Sequence, residues 1–424
     1  MEIIADLHLH SKYSRATSNQ LDIANLEKWA KVKGLNLLGT SDFTHPEWIK
    51  ELKSKLRDDG NGIFKTETGM NFILQTEVSL IYTDGGKGRR VHNVILAPSF
   101  DVVDQITEYF LKKGRIDYDG RPIFKIPCPE LVENMMQISK EIEVIPAHIW
   151  TPWFGLLGSM SGFNSVEDGF KDQTKNIHAL ETGLSSDPAM NWRLSKLDKF
   201  SLVSSSDSHS FWPWRIGREA TMFDLKELSY NNLINALRTK DGLTGTIEVD
   251  PAYGKYHFDG HRNCKVCMSP KESSKVNNIC PKCGKAVTIG VEHRVEELAD
   301  REEGFKPENA KDFKRLIPVS EIIAKLLGAG IATKKVWEVF NKLIASFGNE
   351  LNVLLNVSKE DLTKTVDERL AELIIKNRKG KIEIKPGYDG EYGVPVFNES
   401  DKKKIVSDKP VKVQKGLSEF IKNC

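Results

Sequence analysis

The chain lacks any uninterrupted apolar run of roughly 18 residues, the length a membrane-crossing helix requires, so no such helix is expected. It is poor in cysteine, with six in 424 residues. That excludes a disulfide framework, and four of the six fall in two Cys-x-x-Cys pairs, a pattern of metal binding in a reducing cytoplasm. Cys128 and Cys424 stand apart from the pairs. No charge surplus is present either: 61 Lys and Arg face 59 Asp and Glu, a net charge of +2. A polyanionic partner would therefore meet a local patch and not a wholly basic surface. The opening MEIIADLHLH has no basic stretch followed by an apolar one, so no secretory leader is expected, and a strand starts almost at once. A composition 39% hydrophobic and 28% charged belongs to an ordinary folded protein.

A chain of this length implies two or three compact units. Through the first half one theme repeats: a short apolar run, a polar residue at its end, then a helical pattern. Ile3-Ile4-Ala5 precedes Asp6 to His10, Leu35–Gly39 precedes Asp42, and Phe72–Leu74 precedes Glu77. Val91–Leu96 surrounds His92, Val144–Ala147 precedes His148, His178–Leu180 precedes Glu181, and Leu202–Ser205 precedes Asp207. Helical segments such as Leu21–Lys33, Pro46–Arg57 and Pro129–Lys140 lie between. Seven alternating units predict an α/β fold with a parallel, closed or nearly closed barrel over 1–245, in which strand ends converge on one face. Composition then shifts. A cysteine-bearing module is expected over 246–300, a helical nucleic-acid-binding region over 301–397, and a Lys-rich flexible tail over 398–424.

The titratable residues sit at those strand ends. His8 and His10 are two apart, so on a strand both imidazoles point one way and reach one ion. Glu77, His92, His148, Asp207 and His209 add nitrogen and oxygen ligands of the kinds that bind Zn, Mn or Fe. Any single histidine is more simply a satisfied core or surface side chain. The joint occurrence of His-x-His opening the first strand and Asp-x-His closing the last points to a multinuclear centre that hydrolyses phosphoesters, with nucleic acid as the expected substrate. We expect His8, His10, Glu77 and Asp207 at one metal and Glu77, His92 and His148 at a second, with Asp207, Glu77 and His148 as the catalytic residues.

Cys264-x-x-Cys267 and Cys280-x-x-Cys283 are separated by twelve residues. Four thiolates at that spacing predict a closed tetrahedral Zn²⁺ site of structural type. Trp150, Trp153 and Phe154 follow His148, and Phe211, Trp212 and Trp214 follow His209. These rings either surround the mouth of the site, where they would stack on bases, or pack long loops against the barrel rim. Phe43 is a further pocket or core candidate. Arg15, Arg215 and Arg218, with Lys12, are candidates for phosphate contacts, a solvated face being the alternative. Near the end, Gln414, Leu417, Phe420 and Ile421 form a one-turn plug similar to peptides that dock on DNA sliding clamps; an ordinary docking helix is the plainer reading.

His8-Leu9-His10, Glu77, His92, His148 and Asp207-Ser208-His209 together resemble the polymerase and histidinol phosphatase (PHP) family. That resemblance implies a distorted (β/α)7 barrel holding two or three divalent metals (Zn²⁺, Mg²⁺ or Mn²⁺). The chain departs from many relatives after the second strand, where it reads Ser41-Asp42-Phe43-Thr44-His45-Pro46, and at Arg15, where an acid or histidine is usual. A third metal would then depend on Asp42 or His45. The whole order of barrel, Cys₄ zinc module, helical region and clamp-like tail is similar to a family of DNA repair endonucleases of archaea and some bacteria. Ala5–Ser14, Gly39–Pro46 and Pro146–Pro152 carry its specific marks. It implies incision 5′ to deaminated bases (hypoxanthine, uracil, xanthine) or abasic sites by a metal-activated hydroxide. Two alternatives remain: a phosphatase acting on a small phosphomonoester, and a non-catalytic nucleic-acid or clamp adaptor.

Overall fold

A computed structural model describes residues 1–397, and the clamp-like peptide Gln414, Leu417, Phe420 and Ile421 lies outside the described residues. Strand β1 (Glu2–Asp6) runs parallel to β2 (Leu37–Gly39), and β2 runs parallel to β3 (Asn71–Asp84). The helix between β1 and β2, Ile23–Lys33, starts where Asp22 accepts the Asn25 N–H. It ends at Gly34 in a left-handed conformation (φ 100°). The next, Pro46–Lys55, has proline in its first turn, where no N–H is needed.

The expected parallel barrel is corrected beyond this point. β3 returns as the long antiparallel strand β4 (Lys87–Ala97) through Gly85 and Gly86, both at positive φ. A two-residue turn leaves no chain for the crossover that a parallel neighbour needs. β4 pairs antiparallel with β5 (Glu143–Pro146). β6 (Ala179–Glu181) and β7 (Ser201–Val203) form a separate parallel pair. β8 (Ala220–Asp224) lies antiparallel to both β1 and β9 (Leu243–Glu248), and β9 carries the outer strand β10 (Asp312–Arg315) in parallel.

The β6–β7 pair is held in the ring by other bonds than ladders. Ile149 N–H donates to the Glu181 carbonyl at 3.0 Å, His10 N–H to the Ser208 carbonyl at 3.1 Å, and Ser204 Oγ to the Glu248 carboxylate at 2.8 Å. Inside, Ala5, Leu37, Ile73, Val94, Ile145, Ala179, Val203, Phe223 and Leu243 meet in one buried cluster, a residue from each of β1 to β9. Burial of that interior, with the helices outside it, fixes where the strand ends converge.

Beyond the ring, a hairpin of Asp259–His261 and Val266–Met268 builds a small unit whose core is Val266, Met268, Cys280 and Val287. After β10, five helices run among the described residues: Val319–Leu327, Lys334–Phe347, Glu350–Leu355, Lys359–Thr365 and Glu368–Arg378. They dock on the first helix through a buried ion pair, Lys33 Nζ to Glu350 Oε1 at 3.3 Å. Lys33 also donates to the Pro213 carbonyl at 2.9 Å. No helix among the described residues is long and apolar enough to cross a membrane.

Candidate active site

Glu77 and His92, from inside the antiparallel strands β3 and β4, meet His8, His10, His148 and Asp207 from the irregular segments that leave β1, β5 and β7. His148 and Asp207 hold left-handed backbone (φ 32° and 46°), as does Asp42 (φ 31°). Non-glycine residues reach this region only at a cost of about 1–3 kcal/mol each, and such strain clusters at functional sites.

Ligand atoms of His8, His10, Glu77 and Asp207 lie within 4.8 Å of one another, and those of Glu77, His92 and His148 do likewise. Glu77 joins the two groups. Its Oε2 stands 3.1 Å from His10 Nε2 and 3.5 Å from His8 Nε2, and its Oε1 stands 2.7 Å from His92 Nδ1 and 3.2 Å from His148 Nε2. Asp207 Oδ1 is 3.0 Å from His10 Nε2. The opposite edges of the first two rings are engaged: His8 Nδ1 meets both oxygens of Glu181 at 3.0 Å. His10 Nδ1 meets Ser14 Oγ at 3.1 Å and Asp42 Oδ1 at 3.2 Å. Carboxylates behind imidazoles fix ring orientation and raise ligand basicity.

Burial would lower the His8 imidazole, but Glu181, Glu77 and Asp207 outweigh it and hold its proton well above the usual range. Burial likewise opposes ionisation of Glu77, yet His92, Arg121 and His8 hold that carboxyl well below the usual carboxylate range. Burial pushes His92 down to about 4. A field that holds this much positive charge on the rings suits cations. Despite these approaches, the buried His8 Nε2, His10 Nε2 and Asp207 Oδ1 make no hydrogen bond of good geometry, so the donor set fits divalent metals.

Other expected ligands fall outside these groups. The Asp42 carboxylate is spent on Ser11 N–H (2.7 Å), Ser14 Oγ (2.8 Å) and the His10 ring, so it orients a ligand. His45 stacks on Tyr13 with ring centres 4.3 Å apart. His209 stands beside the cluster, its Nδ1 3.7 Å from Asp207 Oδ1.

The aromatic side chains divide between the two alternatives: Phe154 packs on His92 with ring centres 4.5 Å apart, and the others take the packing role. Phe43 and Trp150 have no exposed surface, and Trp150 Nε1 donates to Asn191 Oδ1 at 2.8 Å, so both are core. Phe211, Trp212 and Trp214 pack with Trp29 and Trp337, joining the ring to the C-terminal helices. Trp153 packs edge-on against Tyr256. Arg15 pairs with Asp119 at 3.3 Å and is 72% exposed. Arg215 and Arg218 border a cavity of about 210 Å³ with Tyr253 and Glu321.

The cysteine module differs by one ligand. His261, Cys264, Cys280 and Cys283 come within 4.8 Å of one another, and Cys267 does not join them. Pairing of Gly260 with Cys267 across the hairpin carries the Cys267 side chain away, and burial pushes its thiol up to about 11. His261 Nδ1 lies 3.3 Å from Cys283 Sγ. Backbone N–H groups of Lys282 and Cys283 outweigh burial and hold the Cys280 thiol down to about 6, the state a metal takes.

Three residues escaped the reading of the sequence. Glu181 was visible by the strand-end rule that located the others, and His261 by its spacing of three from Cys264. Arg121, whose Nη1 donates to Glu77 Oε2 at 2.9 Å, has no local signal.

Residues 318–381 match the family model described as MJ0043 C-terminal domain. Over 252 residues the chain is 34% identical to the uncharacterized protein MJ0043 of Methanocaldococcus jannaschii, covering 58% of this chain. It spans about a third, 31%, of that relative's length. It is 30% identical over 417 residues to the uncharacterized protein YqxK of Bacillus subtilis, covering 92% of this chain and 98% of the relative. Among solved structures it is similar to the lesion-specific endonuclease PfuEndoQ of Pyrococcus furiosus (TM-score 0.85, 32% identity, 96% of this chain and 98% of that one). It is equally similar to an endonuclease Q holding a 27-mer duplex with an abasic lesion at the active site (TM-score 0.84, 32% identity, 94% and 98%).

Proposed function

The chain belongs to the endonuclease Q family of PHP-type metallophosphoesterases, and from that premise we propose that it is a DNA repair hydrolase, a metal-dependent endonuclease that incises damaged DNA. Its substrate is duplex DNA carrying a deaminated base (hypoxanthine, uracil or xanthine) or an abasic site, cut at the phosphodiester 5′ to the lesion. The observation that carries this reading is the end-to-end match to a lesion-specific endonuclease. The unspent His8, His10 and Asp207 atoms gathered around Glu77 support the metal dependence.

His8, His10, Glu77 and Asp207 would hold one divalent ion, Zn²⁺, Mg²⁺ or Mn²⁺, and Glu77, His92 and His148 the second. Such ions lower the pKa of water and neutralise charge on a phosphoryl group. The chain's own residues do the rest. Glu181 and Asp42 keep His8 and His10 in one tautomer and orientation. Glu77 ties the two ligand groups together, and His148 reaches it at 3.2 Å. The Asp207 side chain is 28% exposed where Glu77 has no exposure, which supports Asp207 as the carboxylate that accepts a proton from attacking water. Water oxygen joins phosphorus and the P–O3′ bond breaks, the departing O3′ taking a proton from solvent, which leaves 3′-hydroxyl and 5′-phosphate ends. A lesion unstacks at lower cost than a paired base, which favours its extrusion.

The Cys/His tetrad is proposed as a structural Zn²⁺ site, residues 301–397 as the helical DNA-contacting region, and Gln414–Ile421 as the segment that binds a sliding clamp. Removal of residues 398–424 should abolish capture on immobilised clamp and leave cleavage intact.

The test is a 5′-labelled duplex with one deoxyinosine, incubated with Mg²⁺, Mn²⁺ or Zn²⁺ and with EDTA as control. A metal-dependent nick 5′ of the lesion, absent from undamaged duplex, is the expected result. Phosphate release from small monoesters without a nick would overturn it. Asp207→Asn should abolish the nick while the duplex still binds.

A further inference from the structure

One permanently charged side chain enters the cluster from outside the strand ends. Arg121 lies in the segment 117–122, and its Nη1 donates to Glu77 Oε2 at 2.9 Å. Among the described residues no other lysine or arginine forms an ion pair with Glu77 or Asp207.

Arg121 is held as the metal-site residues are held, from two sides. On one side its backbone N–H donates to Asp119 Oδ1 at 3.2 Å, and Gly120 N–H donates to the Tyr13 carbonyl at 3.0 Å. Gly120 lies so close to the loop after His10 that a Cβ there would stand 2.2 Å from Asp42 Oδ2 and 2.4 Å from Ser14 Oγ, so no other residue fits. On the other side, Ser79 N–H donates to the Pro122 carbonyl at 3.0 Å, and Ile123 and Phe124 pair with Ser79 and Leu80 of β3, the strand that carries Glu77. A flexible surface arginine would need none of this.

Access to the cluster is one-sided. The side chains of His8, His10 and Glu77 have no exposure, whereas those of Asp207, Arg121 and His209 are 28%, 26% and 32% exposed. A phosphodiester therefore approaches past these three. A guanidinium carries five N–H donors, and only one, on Nη1, is engaged with Glu77. Those that remain are a planar fork suited to phosphate oxygens.

Resting on the endonuclease reading above, we infer that Arg121 is a catalytic residue that donates to a non-bridging oxygen of the scissile phosphate. The charge it meets grows as phosphorus becomes five-coordinate, so its contribution falls on the rate and not on ground-state binding.

The experiment compares the wild-type protein with Arg121→Ala and Arg121→Lys on the deoxyinosine duplex. Single-turnover rate, duplex affinity and bound metal per chain are measured with and without added guanidinium. The alanine variant is expected to lose on the order of 10²–10³-fold in rate, the size of one oxyanion donor removed. Metal content and duplex affinity should stay near wild type, guanidinium should restore part of the rate, and lysine should fall between. An alanine variant as fast as wild type would overturn the inference. So would a rate loss that follows lost metal and is not rescued, since Arg121 would then only support Glu77. A wild-type protein that loads metal but never cuts the duplex would remove the endonuclease reading itself, and this inference with it.

Discussion

At His8 and His10 the ring edges facing away from the cluster are tied to Glu181, Asp42 and Ser14, and the cluster sits at the mouth of a ring of strands with a continuous buried interior. At Cys264, Cys280 and Cys283 the support is a two-stranded hairpin over a four-residue core, with Cys283 on the surface. One site is preformed by a fold that stands without it. The other lies on a unit whose small core gives a bound metal more of the stability to supply. The lesson is that ligand chemistry by itself does not say whether a metal serves reaction or architecture. The depth of burial and the polar partners behind each ligand do.

Breaking the comparison at its weaker end should give the largest effect. Cys264→Ser removes a ligand whose metal supplies the module's stability, on the order of 10–16 kcal/mol for structural zinc in small modules. Amide exchange over residues 256–290 should become fast while β1 to β9 stay protected. Equal loss of protection in the strands would erase the distinction. The matching change at the ring, Glu77→Gln, should do the reverse. It should leave thermal unfolding nearly unmoved and lower cleavage by at least about 10³-fold, with metal content measured alongside.

Smaller effects sharpen the contrast. Glu181→Gln keeps the shape behind His8 but weakens its orientation, and metal affinity at the ring should fall by about 10–100-fold in titration. Cys267→Ser should leave bound zinc per chain unchanged, where His261→Ala should lower it; the opposite pattern would restore four cysteine ligands.

The last expected effect is in pH. Burial holds Glu219 up to about 8 from an ordinary value of 4.5, and its neighbour Glu248 is raised as well. Between those values the folded chain keeps a proton that the unfolded chain has released, so stability falls as pH rises from about 4.5 to about 8. The slope is at most about 1.4 kcal/mol per pH unit for each proton. Glu219→Gln should flatten that decline in urea midpoints at pH 5, 7 and 9.

The sequence by itself singled out most of the residues that the fold gathers into the cluster. His8 and His10 were legible by their spacing of two, and His148 and Asp207 by following the ends of apolar runs, whereas Glu77 and His92 stand inside the long strands β3 and β4, where the polar residue interrupts the run. The paired cysteines were legible because a knuckle closes over two intervening residues. Tertiary structure alone decided the remainder. Strand direction beyond β3 hung on a turn, and the pairing of Gly260 with Cys267 left His261 in the place expected of a fourth cysteine. Trp212 and Trp214 met Trp337, more than 120 residues away, and so became an interface. Arg121 reached Glu77 across 44 residues of intervening chain numbering. Local pattern reports what a residue can do, but partners distant in the chain are set by packing, which leaves no periodic trace in sequence.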